Sequence, residues 1–213
     1  MARTIRLVSA VAALAALLLV PAASRATTYT FGTRLDHEPS NSAPGHNCKE
    51  DGSDDATPAC TRVAIDMGDA VAGGLTAPRD GTIIKFRVRA GAPGELTFRL
   101  AKLKQLGYDP SLGDFAGFGK SAGAGPTVHV EGRGFDETNP VEELPAHLKV
   151  HKGDYLAIDS TSTSVLYCSG GGSNQLIFSP ALTPSFSIST QSEGCDLLVQ
   201  AVMKPAPKHR RHR

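Results

Sequence analysis

Four cysteines, an acidic cluster and a pair of spaced histidines are the residues of this chain whose types and spacing could do chemistry. Cys48 and Cys60 bracket a polar loop, and Cys168 and Cys195 stand near the ends of two expected strands. Four cysteines allow three pairings. Local pairing costs the least chain entropy, so Cys48–Cys60 and Cys168–Cys195 are the expected disulfides, the shorter loop contributing roughly 3 kcal/mol. No Cys-x-x-Cys pair occurs, which argues against zinc. Inside the first loop Glu50, Asp51, Asp54 and Asp55 place four carboxylates close together. Oxygen-rich loops can hold calcium through about six to eight ligands. The spacing departs from the EF-hand pattern, and Asp66 and Asp69 would contribute only if the fold brought them near. A solvated acidic loop is the preferred reading, with calcium as the one cofactor these residues suggest.

His147 and His151 form His-x-x-x-His. On a helix they would share a face and could chelate zinc. The alternation around them indicates a strand, where four residues span roughly 13 Å, too far for one ion at about 2 Å from each. Gly117-Phe118-Gly119-Lys120-Ser121 resembles the end of a phosphate loop, but Asp114 stands where the pattern needs glycine. No helix is expected to follow, and a flexible glycine loop is the expectation. Ser169 lacks a Gly-x-Ser-x-Gly frame, and Glu142-Glu143 lie in a proline-flanked segment without a glycosidase signal. No catalytic residue is assigned. A secreted hydrolase stays open as an alternative because triads are spatial.

These side chains must be positioned by β-structure. Short runs of β type recur between turn residues, near 28–33, 61–67, 81–90, 95–103, 127–131, 146–151, 154–160, 164–168, 175–179, 185–189 and 196–203, and no stretch of a dozen residues has helical periodicity. The pattern predicts an all-β chain, an antiparallel β-sandwich of jelly-roll type. In GTIIKFRVRA and ELTFRL apolar and polar residues alternate. A hairpin turning at Gly91-Ala92-Pro93 would set Val88 opposite Leu96, Phe86 opposite Phe98 and Ile84 opposite Leu100. Its outer face would show Lys85, Arg87, Arg89 and Arg99, either an anion-binding stripe or, preferably, a solvated face balanced by acids. A second hairpin is expected in LKVHKGDYLAIDS, turning at Lys152-Gly153-Asp154. The closing run LLVQAVM is apolar on both faces and should lie centrally in a sheet.

The chain's two ends differ from its body. Arg3 and Arg6 precede the apolar run Leu7–Val20, which as a helix would span roughly 21 Å, short of a bilayer core of about 30 Å. Pro21 ends the run, and Ser24 and Ala26 suit a cleavage site. Residues 1–26 therefore read as a signal peptide, leaving no transmembrane span after cleavage and a secreted or cell-envelope location. With the arginines of that segment and the five basic residues of 204–213 set apart, residues 27–203 hold 14 basic and 21 acidic residues, a net of −7. Residues 204–213 read as a basic disordered tail. Its Lys204, Lys208, Arg210, Arg211 and Arg213 could bind an anionic envelope polymer or lipid head groups. Nucleic acid, the other polyanion such a tail could meet, is not the expected partner.

The segments VAGGLTAPRDGTIIKFRVRAGAPGELTFRLAKL, LPAHLKVHKGDYLAIDS and CDLLVQAVMKP resemble a family of uncharacterised secreted β-sandwich proteins of high-GC Gram-positive bacteria, across roughly residues 60–204. The resemblance implies fold and location and carries no catalytic residues. Related chains often continue into acidic repeats of the calcium-binding type, whereas a basic segment follows here. The expected function is a non-enzymatic, envelope-associated or extracellular binding module. A carbohydrate-binding module is an alternative: the chain has no tryptophan, but Tyr29, Tyr108, Tyr155 and Tyr167 could stack on sugars.

Overall fold

The structure is a computed structural model describing residues 27–40, 60–65, 70–110, 114–135, 138–160, 165–168 and 174–207. Residues 1–26, expected to be a signal peptide, Cys48, the acidic cluster Glu50, Asp51, Asp54 and Asp55, Asp66, Asp69, Ser169 and residues 208–213 lie outside the described residues. Among those described there are thirteen strands and no helix: β1 (Tyr29–Gly32), β2 (Cys60–Ala64), β3 (Gly81–Arg89), β4 (Gly94–Asp109), β5 (Asp114–Val130), β6 (Val141–Val150), β7 (Tyr155–Ser160), β8 (Leu166–Cys168), β9 (Gln175–Phe178), β10 (Ser187–Ile188), β11 (Gln191–Glu193), β12 (Cys195–Leu197) and β13 (Val199–Pro205). They form a four-stranded sheet, β1-β13-β3-β6, a seven-stranded sheet, β10-β5-β4-β7-β2-β9-β11, and the small pair β12-β8. All pairings are antiparallel.

One core lies between the two large sheets. Ile83, Phe86 and Val88 of β3 and Val199, Ala201 and Met203 of β13 meet Leu96, Phe98 and Leu100 of β4 and Leu156 and Ile158 of β7. The expected β3–β4 hairpin is not formed. β3 pairs with β13 and β6, and β4 with β5 and β7. The apolar residues expected to oppose one another along a ladder meet across the layers instead: the Phe86 and Phe98 rings stack with centroids 3.9 Å apart. A bulge between Ile83 and Lys85 turns Ile83 inward in place of the expected Ile84. The second expected hairpin is corrected likewise. The turn at Lys152-Gly153-Asp154 is present, with Gly153 at φ +85°, where glycine has no steric penalty. It carries the chain from β6 in one sheet to β7 in the other. β13 does sit centrally, between β1 and β3.

The one long hairpin is β4–β5, and much of it was expected to be loop. Residues 117–121 lie within β5, so this segment is neither a phosphate loop nor a flexible one. Its glycines are required by packing. A Cβ on Gly117 would come within 2.6 Å of Leu106 and 3.0 Å of Leu176, and one on Gly119 within 2.6 Å of Phe178. The sheet curls until β9 side chains rest on the β5 backbone. Inside this curl Val63, Ala101, Ala157, Leu176, Phe178 and Leu182 form a second apolar cluster.

That cluster is covered by a strap. After β9 the chain crosses the sheet from the β2 side to the far edge, where β10 pairs with β5 at Ser187↔Gly119 and Ile188↔Phe118. Its backbone is fastened on the way: Leu182 N–H donates to Thr61 Oγ1 at 2.8 Å, and Ser121 N–H donates to the Thr183 carbonyl at 2.7 Å. Cys168 of β8 and Cys195 of β12 are ladder partners joined by a disulfide, 27 positions apart in sequence. The bridge therefore closes the neck of the strap. The chain-entropy relation assigns such a loop about 3.5 kcal/mol. Replacing both cysteines by serine should lower the unfolding free energy by about that amount and speed hydrogen exchange first at residues 176–190; an unchanged denaturation midpoint would contradict the assignment.

Candidate functional site

Three neighbouring strands place cations on the outer face of the four-stranded sheet. β3 contributes Lys85, Arg87 and Arg89, whose inward neighbours Phe86 and Val88 are buried. On β6, exposed Glu143, His147 and Lys149 alternate with half-buried Leu144, Ala146 and Leu148. On β13, Lys204 pairs with Thr82, which in turn pairs with Lys149. Lys204 thus belongs to a strand that runs to Pro205, which corrects its assignment to a disordered tail. Arg99 is absent from this face, because β4 lies in the other sheet.

The stripe expected from sequence is largely neutralised. Glu143 accepts a hydrogen bond from Lys85 Nζ at 2.6 Å and lies 3.3 Å from Arg87 Nε, while Glu38 takes Arg89. The Lys85 hydrogen bond holds the Glu143 carboxyl below the usual glutamate range; desolvation opposes this, and the charges of Lys85 and Arg87 add to it. One step along the sheet the balance changes. Lys149 and Lys204 are exposed and have no carboxylate within 4.0 Å among the described residues. With His147, His151, Thr82 and Asp80 they line an open groove of about 1030 Å³. The groove's rim is Pro205-Ala206-Pro207, anchored by Ala206 N–H donating to the Asp80 carbonyl at 2.9 Å. The basic segment Lys208, Arg210, Arg211 and Arg213 continues from this rim. The two histidines therefore share a groove, although their spacing had separated them; His151 Nδ1 lies 3.7 Å from the buried carboxylate of Asp154.

Two other charged pairs are committed to the fold. Arg99 grips Asp159 with Nε at 2.8 and 2.7 Å from the two oxygens and donates from Nη1 to Ser121 Oγ at 2.9 Å; Thr61 donates to the same carboxylate at 2.5 Å. This clasp ties β4, β5, β7 and β2 together beneath the strap. Arg62, 1% exposed, pairs with Glu193 at 2.9 Å, and Gln175 donates to the same carboxylate. Burial lowers the Arg62 pKa from its ordinary value, and Glu193 opposes the shift. Removing one member of a buried pair is costly, which makes these pairs supports of the fold.

Of the four tyrosines, Tyr29 lies beneath Arg79, Tyr167 stacks on His37 and Tyr155 packs into the core; Tyr108, 69% exposed, stands apart on the β4–β5 hairpin. They form no shared stacking platform. Among the described residues no three of His, Cys, Asp and Glu are grouped to hold a metal ion. Sequence reasoning missed Lys149 as a site residue, although its polar place in the β6 alternation was a usable signal. Arg62–Glu193 and Arg99–Asp159 had no local signal. Comparison with protein-family models, curated proteins and solved structures found no match.

The Glu143 carboxyl offers a local check. With its folded pKa depressed, the pairing's stabilisation is present above the unfolded-state value and fades as pH falls through the folded one. Carbon-detected titration should give Glu143 a midpoint below the ordinary glutamate value of about 4.3, and Lys85→Met should raise it. A midpoint unmoved by that substitution would contradict the pairing.

Proposed function

We propose that the protein is an exported, non-enzymatic binding module that attaches to anionic envelope material through the groove of the four-stranded sheet and the basic segment leaving it. The observation that carries this reading is the meeting of Lys149 and Lys204, which have no carboxylate within 4.0 Å among the described residues, with His147 beside the rim from which the basic sequence 208–213 continues. Phosphate or carboxylate groups repeated along a polymer, or presented by lipid head groups, suit several separated cations better than a single enclosed site would. The body's acids repel such a ligand elsewhere and orient it toward this face.

Jelly-roll connectivity is part of the proposal. With β8–β12 set aside as an insertion, the remaining eight strands taken in chain order lie 1-8-3-6 in one sheet and 5-4-7-2 in the other. Every connection except β4–β5 then passes between sheets, as two interlocked Greek keys require. The second disulfide, Cys48–Cys60, and membership of the secreted Gram-positive family belong to the same reading. A formed Cys168–Cys195 bridge suits export, since such bonds persist in oxidising compartments.

The test is retention of the full chain on immobilised inorganic polyphosphate. Lys149→Ser and Lys204→Ser should each weaken binding about fivefold, corresponding to the ~1 kcal/mol of a lysine near an anionic surface, and deletion after Pro207 should weaken it further. Elution of all three forms at the wild-type salt concentration would refute the groove as the binding face.

A further inference from the structure

We infer a second binding surface, an interfacial patch for anionic lipid bilayers, at the end of the seven-stranded sheet where the strap meets the β4–β5 hairpin. It is independent of the groove. Leu106, Tyr108, Phe186 and Ile188 are the large apolar side chains most exposed among the described residues, at 39–69%. Phe186 and Ile188 lie on the strap at β10 and carry the patch, Tyr108 of β4 lines the depression beside Ile188, and Leu106 packs on the other side of the ribbon toward Leu176. Register explains part of the gathering: Phe118 of β5 stands opposite both Lys104 and Ile188. Phe118, Lys104 and Ile188 thus share one face, the face that buries Leu96, Phe98 and Leu100 farther along β4. There the four-stranded sheet covers it; here, among the described residues, the hairpin runs on without a facing layer.

The cations on this face are placed among aromatic rings. Lys104 Nζ lies 4.0 Å from the Phe186 centroid and 5.8 Å from that of Phe118, and Lys120 Nζ lies 4.9 Å from Phe186. Neither lysine has a carboxylate within 4.0 Å among the described residues, whereas Lys102, directly opposite Lys120 on the ladder, is bound to Asp154 at 3.1 Å. Beside them an open depression of about 320 Å³ is lined by Tyr108, Gly117, Phe118 and Ile188. Exposed apolar rings beside free lysines match the boundary between acyl chains and phosphate head groups. There rings enter the apolar zone, and lysine stems lie along it with their ammonium groups in the phosphates. A soluble polyanion would use the lysines and leave Phe186 and Ile188 in water. Asp109 also lines this depression, on its side toward the hairpin's end, so the face of the ribbon, not its tip, meets the bilayer.

Because the chain has no tryptophan, Tyr108→Trp supplies a single reporter at a position already largely exposed. Its emission should shift to the blue with vesicles containing phosphatidylglycerol and stay unshifted with pure phosphatidylcholine or with soluble polyphosphate. In that background Phe186→Ser with Ile188→Ser, and separately Lys104→Ser with Lys120→Ser, should each weaken vesicle binding at least tenfold while leaving polyphosphate retention at the groove unchanged. No shift with anionic vesicles, or undiminished binding by both paired variants, overturns the inference. So does a concentration-dependent dimer that the Phe186/Ile188 pair abolishes, which would make the patch a contact between two copies, or glycan binding lost in the same variant.

Discussion

The stacked rings of Phe86 and Phe98 hold together two sheets that share no ladder where they meet. Strands packed face to face are joined only by side chains, and aromatic pairs contribute burial together with a defined geometry. This contact determines what each strand can do with its other face. Because β3 spends Phe86 and Val88 on the core, Lys85, Arg87 and Arg89 must face outward. Because both edges of β3 are occupied, by β13 and β6, cations from three chain-distant segments come onto one surface. The groove is thus a consequence of layering. In a β3–β4 hairpin Lys149 and Lys204 would have had no reason to approach one another.

The seven-stranded sheet solves a different problem. Its outer face is partly apolar and would be a liability in water. The strap covers it, the Cys168–Cys195 bridge fastens the strap's neck, and Thr61, Asp159, Arg99 and Ser121 satisfy one another underneath. On its other face the same sheet runs past the four-stranded sheet at the β4–β5 hairpin, where apolar rings lie beside Lys104 and Lys120, which have no carboxylate within 4.0 Å among the described residues, so the protein has two surfaces of different chemistry: a wet basic groove, and a patch that is both apolar and basic.

Much of this was legible in the sequence, and the failures share a cause. Alternation along β3 and β4 identifies which residues turn inward, and it did so for Phe86, Val88, Leu96, Phe98 and Leu100. It does not say whether the apolar face meets a ladder neighbour or a layer about 10 Å away, since both bury it. The turns at Gly91-Ala92-Pro93 and Lys152-Gly153-Asp154 were likewise correct as turns and wrong as hairpins. Residues 114–126 were unreadable as strand because glycine lowers strand propensity; the reason for Gly117 and Gly119 is the bulk of Leu176 and Phe178, some 60 residues away in sequence. Lys149 was readable from its place in an alternating strand. Its importance was not, because that depends on Lys204, which composition alone assigned to the tail.

Through-space magnetic contacts from the backbone of Arg87 test the layered arrangement most directly. The account predicts cross-strand contacts from Arg87 to both Gln200 and Glu143, ring-to-ring contacts between Phe86 and Phe98, and no backbone contact between Val88 and Leu96. Backbone contacts linking Val88 to Leu96, with none from Arg87 to Gln200, would contradict it and dissolve the basic groove with it.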